Sequence, residues 1–121
     1  MTKRYLNRAK TALLTTGTAE TVTLGAAEKG YQTFAEAGIQ DGDQVRYVIE
    51  DKAAWEIGLA IYSATGPTLT RGVTESSDGG TRIALTDKAV IFASMAGEDI
   101  KSIVDDTRLM RVRRDLDVHA I

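Results

Sequence analysis

The stretch Gly38–Gly80, GIQDGDQVRYVIEDKAAWEIGLAIYSATGPTLTRGVTESSDGG, alternates apolar with polar residues, is interrupted by turn formers and holds the chain's one tryptophan. Successive side chains on a strand face opposite sides of a sheet. Val45, Tyr47 and Ile49 therefore point one way, and Gln44, Arg46, Val48 and Glu50 the other. Glu50-Asp51-Lys52-Ala53-Ala54 breaks the alternation before Trp55, Ile57, Leu59 and Ile61 resume it, which predicts a second strand returning beside the first. Ala64-Thr65-Gly66-Pro67 is a turn, Thr68–Ser76 a third strand, and Ser77-Asp78-Gly79-Gly80 a turn with a permissive backbone. The core reads as antiparallel β.

On the N-terminal side, Ala9, Ala12 and Leu13 suit a helix while Lys10–Thr16 suits a strand, and both remain open. Thr15-Thr16-Gly17-Thr18 is a turn cluster, and Glu20–Leu24 alternates threonine with apolar residues, as a pleated half-buried surface requires, so a hairpin is expected across Gly17. Tyr31, Phe34 and Ala35 stand at i, i+3 and i+4, predicting a short helix near 31–37 that stops at Gly38. On the C-terminal side, Arg82–Leu85 and the apolar run Ala89–Ala93 read as strands, the second suited to cover on both faces. The fold class is thus all-β, a small antiparallel sandwich or barrel of about seven short strands. Ile100, Ile103 and Val104 fall on one face of a helix that begins after Gly97 with acidic residues where its dipole favours them. Arg108-Leu109-Met110-Arg111-Val112-Arg113-Arg114 follows, an arginine-rich arm between Asp105-Asp106 and Asp115. One domain is expected over 1–121, with the core at about 9–97 and the arm at about 98–121.

Fifteen basic against 17 acidic side chains give a net charge of −2, so no global field recruits nucleic acid or an anionic membrane. The chain has no cysteine, which excludes disulfides and thiolate chemistry, and no apolar run long enough to span a membrane. Glu50 with Glu56 or Glu75 would be a glycosidase pair, but Glu50 sits at a turn with Asp51, Glu56 alternates with buried neighbours, and solvent-facing acids account for all three. His119, the one histidine, has no nucleophile motif near it. Asp41-Gly42-Asp43 lacks the further ligands and closing glutamate of a calcium loop and reads as a turn. No phosphate-binding glycine fingerprint occurs. Arg46 reads as a solvated strand residue. Tyr47, Trp55 and Tyr62 read as core, the competing role being an aromatic platform for a sugar or a base. Arg46, Lys52 and Arg71 are too few bases for an OB-type nucleic-acid groove. The arm's alternation of Arg111 and Arg113 with Met110 and Val112 suits a strand added to a neighbour's sheet edge, so protein contact is preferred there over phosphate.

The blocks Thr15–Thr18 with Val22–Gly25, Gly30–Phe34 before Gly38, Asp41–Asp51, Trp55–Gly58, Tyr62 before Leu69–Arg71, Glu75–Ser77 and Ala89–Phe92 resemble a small β-rich module of tailed-bacteriophage structural proteins. The resemblance covers residues 9 to 100. The chain departs from it at Asp51-Lys52, where a turn glycine is more usual, and at Leu59-Ala60-Ile61, where smaller or polar residues are common. It implies a non-enzymatic virion component at the neck, tail, fibre base or capsid surface, with no catalytic residues and no cofactor. Such a protein would be assembled in the host cytoplasm and would pack against copies of itself and other virion proteins. No membrane and no sequence-specific nucleic acid enter. Arg108, Met110, Arg111, Val112, Arg113 and Arg114 are the expected partner contacts, with Lys3, Arg4 and Arg8 as a second basic contact. The competing expectation is a carbohydrate-binding receptor module of a tail fibre, with Trp55 and a tyrosine stacking on a sugar ring.

Overall fold

The computed structural model describes residues 2–97 and 99–101. Its strands are β1 (Lys3–Arg4), β2 (Lys10–Leu13), β3 (Thr21–Ala27), β4 (Gln44–Asp51), β5 (Ala54–Ser63), β6 (Thr68–Thr70), β7 (Val73–Ser76) and β8 (Val90–Ala93). In the order β4-β8-β2-β3-β6-β5, six of them close into an antiparallel barrel, because β5 pairs with both β4 and β6. Outside the ring, β1 lies parallel on β4 and β7 antiparallel on β5. The architecture is therefore a barrel, and the expected hairpin across Gly17 is β2 with β3.

Val45, Tyr47 and Ile49 face the barrel interior with no solvent exposure, as their alternation predicts. The second strand inverts the expectation. A two-residue turn at Lys52 and Ala53 sets Asp51 opposite Ala54, and cross-strand partners share a face, so Ile49 faces Glu56, Tyr47 faces Gly58 and Val45 faces Ala60. The interior side of β5 is Glu56, Gly58, Ala60 and Tyr62, while Trp55, Ile57, Leu59 and Ile61 lie on the outer face. Lys52 holds that turn with φ 59°, the left-handed conformation in which a glycine is at ease.

Residues 31–37 make one helical turn in place of a helix. Thr33 and Glu36 form a capping box, with the Thr33 amide donating to Glu36 Oε1 at 2.9 Å and the Glu36 amide to Thr33 Oγ1 at 3.1 Å. The turn ends at once in a Schellman motif: the Ile39 amide donates to the Phe34 carbonyl and the Gly38 amide to the Ala35 carbonyl, with Gly38 at φ 106°. Both signals sit so close together that no second turn fits, and the motif drives Phe34 and Ile39 into the core.

The expected third strand is broken at Arg71-Gly72 into β6 and β7. Arg82–Leu85 is no strand: Leu85 makes an isolated bridge with Gly17, and the backbone of Ile83 is engaged by the side chains of Glu56 and Arg71. In β8, Ile91 is buried, whereas Val90 and Phe92 are half-buried on the outer face, so this strand is covered on one side only. Gly97 opens a helical turn on which Ile100 is exposed; Ile103 and Val104 lie outside the described residues.

Candidate functional site

Two buried ion pairs organise the polar chemistry of the described residues. Glu56, the third residue of β5, is fully buried and is met by Arg71 from the β6–β7 break. Arg71 Nε donates to Glu56 Oε2 at 3.0 Å and its Nη2 to Oε1 at 2.5 Å, a two-pronged match of guanidinium to carboxylate. Tyr47 Oη donates to Oε2 at 2.8 Å and the Ile83 amide to Oε1 at 2.9 Å. Arg71 also donates to the carbonyls of Ala19 and Ile83. Burial, and then the neighbouring Glu56 carboxylate, push the Tyr47 phenol well above its usual range. Every polar atom of Glu56 is engaged by the protein, so this carboxylate ties four segments together and is not placed to act as an acid or base. The expectation that Glu56 faces solvent is corrected: the turn at Lys52 and Ala53 rotates it inward, and Arg71 makes that burial tolerable.

The second pair sits on the outer face of β4. Arg46, expected to be solvated, is 3 % exposed because the segment after β8 folds over it. Its Nε and Nη2 donate to Asp99 Oδ2 and Oδ1 at 2.8 and 2.9 Å, while Lys3 Nζ and the Ala96 amide reach the same carboxylate at 3.0 Å. The Arg46 guanidinium above all, against the opposing effect of burial, holds the Asp99 carboxyl far below the usual range. Arg4 Nε donates to Asp43 Oδ2 at 2.6 Å, and the Gln40 amide donates to the same oxygen. Lys3 and Arg4, expected as partner contacts, thus fasten β1 and the segment after β8 to the barrel.

Glu50 and Glu75 are exposed and, unlike Glu56, sit on the surface as expected. Tyr47 and Tyr62 are core residues, but Trp55 is 37 % exposed on the outer face, where its register puts it. The Asp41-Gly42 turn forms as expected. Arg8 stands beside a cleft of about 250 Å³ lined by Arg8, Ala9, Lys10, Tyr31, Glu50, Phe92 and Ala93. Sequence reasoning had no signal for this cleft, because its members come from four separate segments. The arm contacts Arg108, Met110, Arg111, Val112, Arg113 and Arg114, and His119, lie outside the described residues. Among the described residues no group of three or more His, Asp or Glu is placed to hold a metal ion, and no helix is long and apolar enough to cross a membrane.

Fold and surface together define a small closed antiparallel β-barrel with two flanking strands, braced by buried ion pairs. No family model matches the chain, nor does any curated protein or solved structure.

Proposed function

We propose that the chain is a non-enzymatic structural component of a tailed-phage virion, used at the neck, tail, fibre base or capsid surface, where copies pack against one another and against other virion proteins. One observation carries this reading. The outer side of β5 presents Trp55, Ile57, Leu59 and Ile61 in alternate positions, with Trp55 37 % and Ile61 40 % exposed, while the one glutamate inside the barrel is consumed by structure. A partly exposed apolar row on a sheet suits contact with other proteins. The resemblance of residues 9 to 100 to phage structural modules supports the same reading. In a symmetric particle, many weak contacts add through multivalency.

The arm at 108–114 is the proposed reach to a neighbour. A chain ending at Lys101 keeps the Asp99 clamp and every strand of the described residues, so it should fold and yet fail to enter particles. Mass spectrometry of gradient-purified particles, with full and shortened chains expressed side by side, tests this. Absence of the full chain from particles overturns the virion reading; normal entry of the shortened chain overturns the arm.

Outward Trp55 also favours a second reading, carbohydrate recognition at a fibre tip. Acrylamide should quench its fluorescence readily under either reading, but a shift of its emission on adding cell-surface glycans is expected only under the second.

A further inference from the structure

We propose that the cleft between Arg8, Lys10, Tyr31, Phe92 and Glu50 is a binding site for a small carboxylate-bearing solute, with an acidic sugar as the ligand that fits best. This goes beyond the assembly reading; Trp55 does not line the cleft, although it is the cross-strand partner of Glu50, which does.

The cleft is preorganised around a strained residue. Arg8 has φ 56°, a left-handed conformation that costs a non-glycine residue energy and persists only where its surroundings enforce it. The enforcement is visible: the Gln32 amide donates to the Arg8 carbonyl at 2.9 Å, Gln32 Nε2 donates to the Asn7 carbonyl at 2.8 Å, and the Lys10 amide donates to the Gln32 carbonyl at 3.1 Å. The side chain is held as well. Arg8 Nη2 donates to the Gly30 carbonyl at 2.8 Å, and the guanidinium lies 3.9 Å from the centre of the Tyr31 ring.

Lys10 adds a second cation. Its Nζ stands 5.2 Å from the Tyr31 ring centre and 5.5 Å from that of Phe92, and it forms no ion pair with another described residue. Two positive groups beside aromatic rings in one pocket call for an anion. Glu50 lines the same pocket and is exposed, with no hydrogen bond to another described side chain. An acceptor-only carboxylate asks for a donor on the ligand. The complementary solute carries both a carboxylate and hydroxyl or ammonium donors, within about the volume of one ring. A uronate sugar and a free amino acid share this chemistry; the half-buried Phe92 and the roominess of the cleft favour the ring.

The test uses the full chain and two-dimensional amide NMR, titrating separately with D-glucuronate, methyl glucoside, which lacks the carboxylate, and glycine. Glucuronate should move the amides of residues 8–10, 30–32, 50 and 92–93, with little response to methyl glucoside. Lys10→Gln should weaken glucuronate roughly tenfold, the loss of one charged hydrogen bond. Arg8→Gly gives a readout that a merely structural arginine would not: it relieves the backbone strain, so thermal stability should hold or rise while binding is lost. A response to glycine and none to glucuronate assigns the site to amino acids. No response to either at high millimolar concentration overturns the proposal, as does binding that survives both substitutions. These outcomes are independent of whether the chain is found in particles.

Discussion

Glu56 and Arg71 meet inside the barrel through two parallel hydrogen bonds, and neither side chain has any contact with solvent. The pair explains why β6 and β7 do not run on as one strand: the chain turns at Arg71-Gly72 to send the guanidinium inward. It also explains why Ile83 has no strand partner.

Removing one member leaves the other charged and buried. Glu56→Met or Arg71→Met should each cost about 3 to 5 kcal/mol, the penalty of breaking a buried pair. The double substitution Glu56→Met with Arg71→Met should cost less than either single change, because no lone charge remains. Urea unfolding followed by tryptophan fluorescence measures all three. Additive losses would mean that the two side chains act independently.

Asp99 ties β1, β4 and the segment after β8 into one unit, and its ionisation makes that unit sensitive to acid. Its carboxyl is held far below the usual range when folded, chiefly by Arg46. A group whose pKa is depressed by folding stabilises the fold above its unfolded value, about 3.9 for aspartate, and that stability is lost as pH falls below it. Asp43, depressed chiefly by the Gln40 amide, acts in the same direction. The melting temperature should stay level from pH 7 to about 5 and fall below about 4. Asp99→Asn should melt lower at pH 7 and show a shallower acid decline. An unchanged acid decline in that variant would remove Asp99 from the account.

The strand most legible in the sequence was β4, whose alternation placed Val45, Tyr47 and Ile49 inside the barrel correctly. The face of β5 was not legible. Large apolar residues at Trp55, Ile57, Leu59 and Ile61 suggested one inner face, yet a two-residue turn chose the other, filled by Gly58 and Ala60 where Tyr47 already occupies the space. A period-two run of Glu56, Gly58, Ala60 and Tyr62 was the available hint, small residues opposite a large one. Arg46 and Glu56 were misread for one reason: their partners, Asp99 and Arg71, lie 53 and 15 residues away. Burial of a charge depends on such a partner, and periodicity does not reveal it.

Thr11 faces inward on β2 with no exposure, and its hydroxyl has no hydrogen-bond partner among the described residues. It borders a pocket of about 180 Å³ shared with Leu24, Phe34, Tyr62 and Pro67. A buried hydroxyl without a partner carries an unrecovered desolvation cost, and valine matches threonine in shape. Thr11→Val should therefore stabilise the protein by about 1 kcal/mol, seen as a higher urea midpoint at unchanged slope. A loss of stability would show that the hydroxyl has a partner, such as a bound water, that it needs.

Gly58 stands opposite Tyr47 where β5 passes closest to the β6–β7 break. A Cβ there would lie 2.3 Å from the Gly72 carbonyl oxygen and 2.7 Å from Tyr47 Oη. The carbonyl cannot retreat, since it accepts the Leu59 amide at 3.0 Å, and Tyr47 is held by Glu56. Gly58→Ala should thus cost about 3 kcal/mol, the upper end of what over-packing a core costs. Gly97→Ala is the control: nothing lies within 4 Å of its Cβ position, its φ is not positive, and alanine suits a helical turn. That change should leave stability level or raise it slightly. If both alanines were tolerated equally, the close approach of β5 to the Arg71-Gly72 break would not be a constraint on the fold, and the inward path of Arg71 to Glu56 would need another cause.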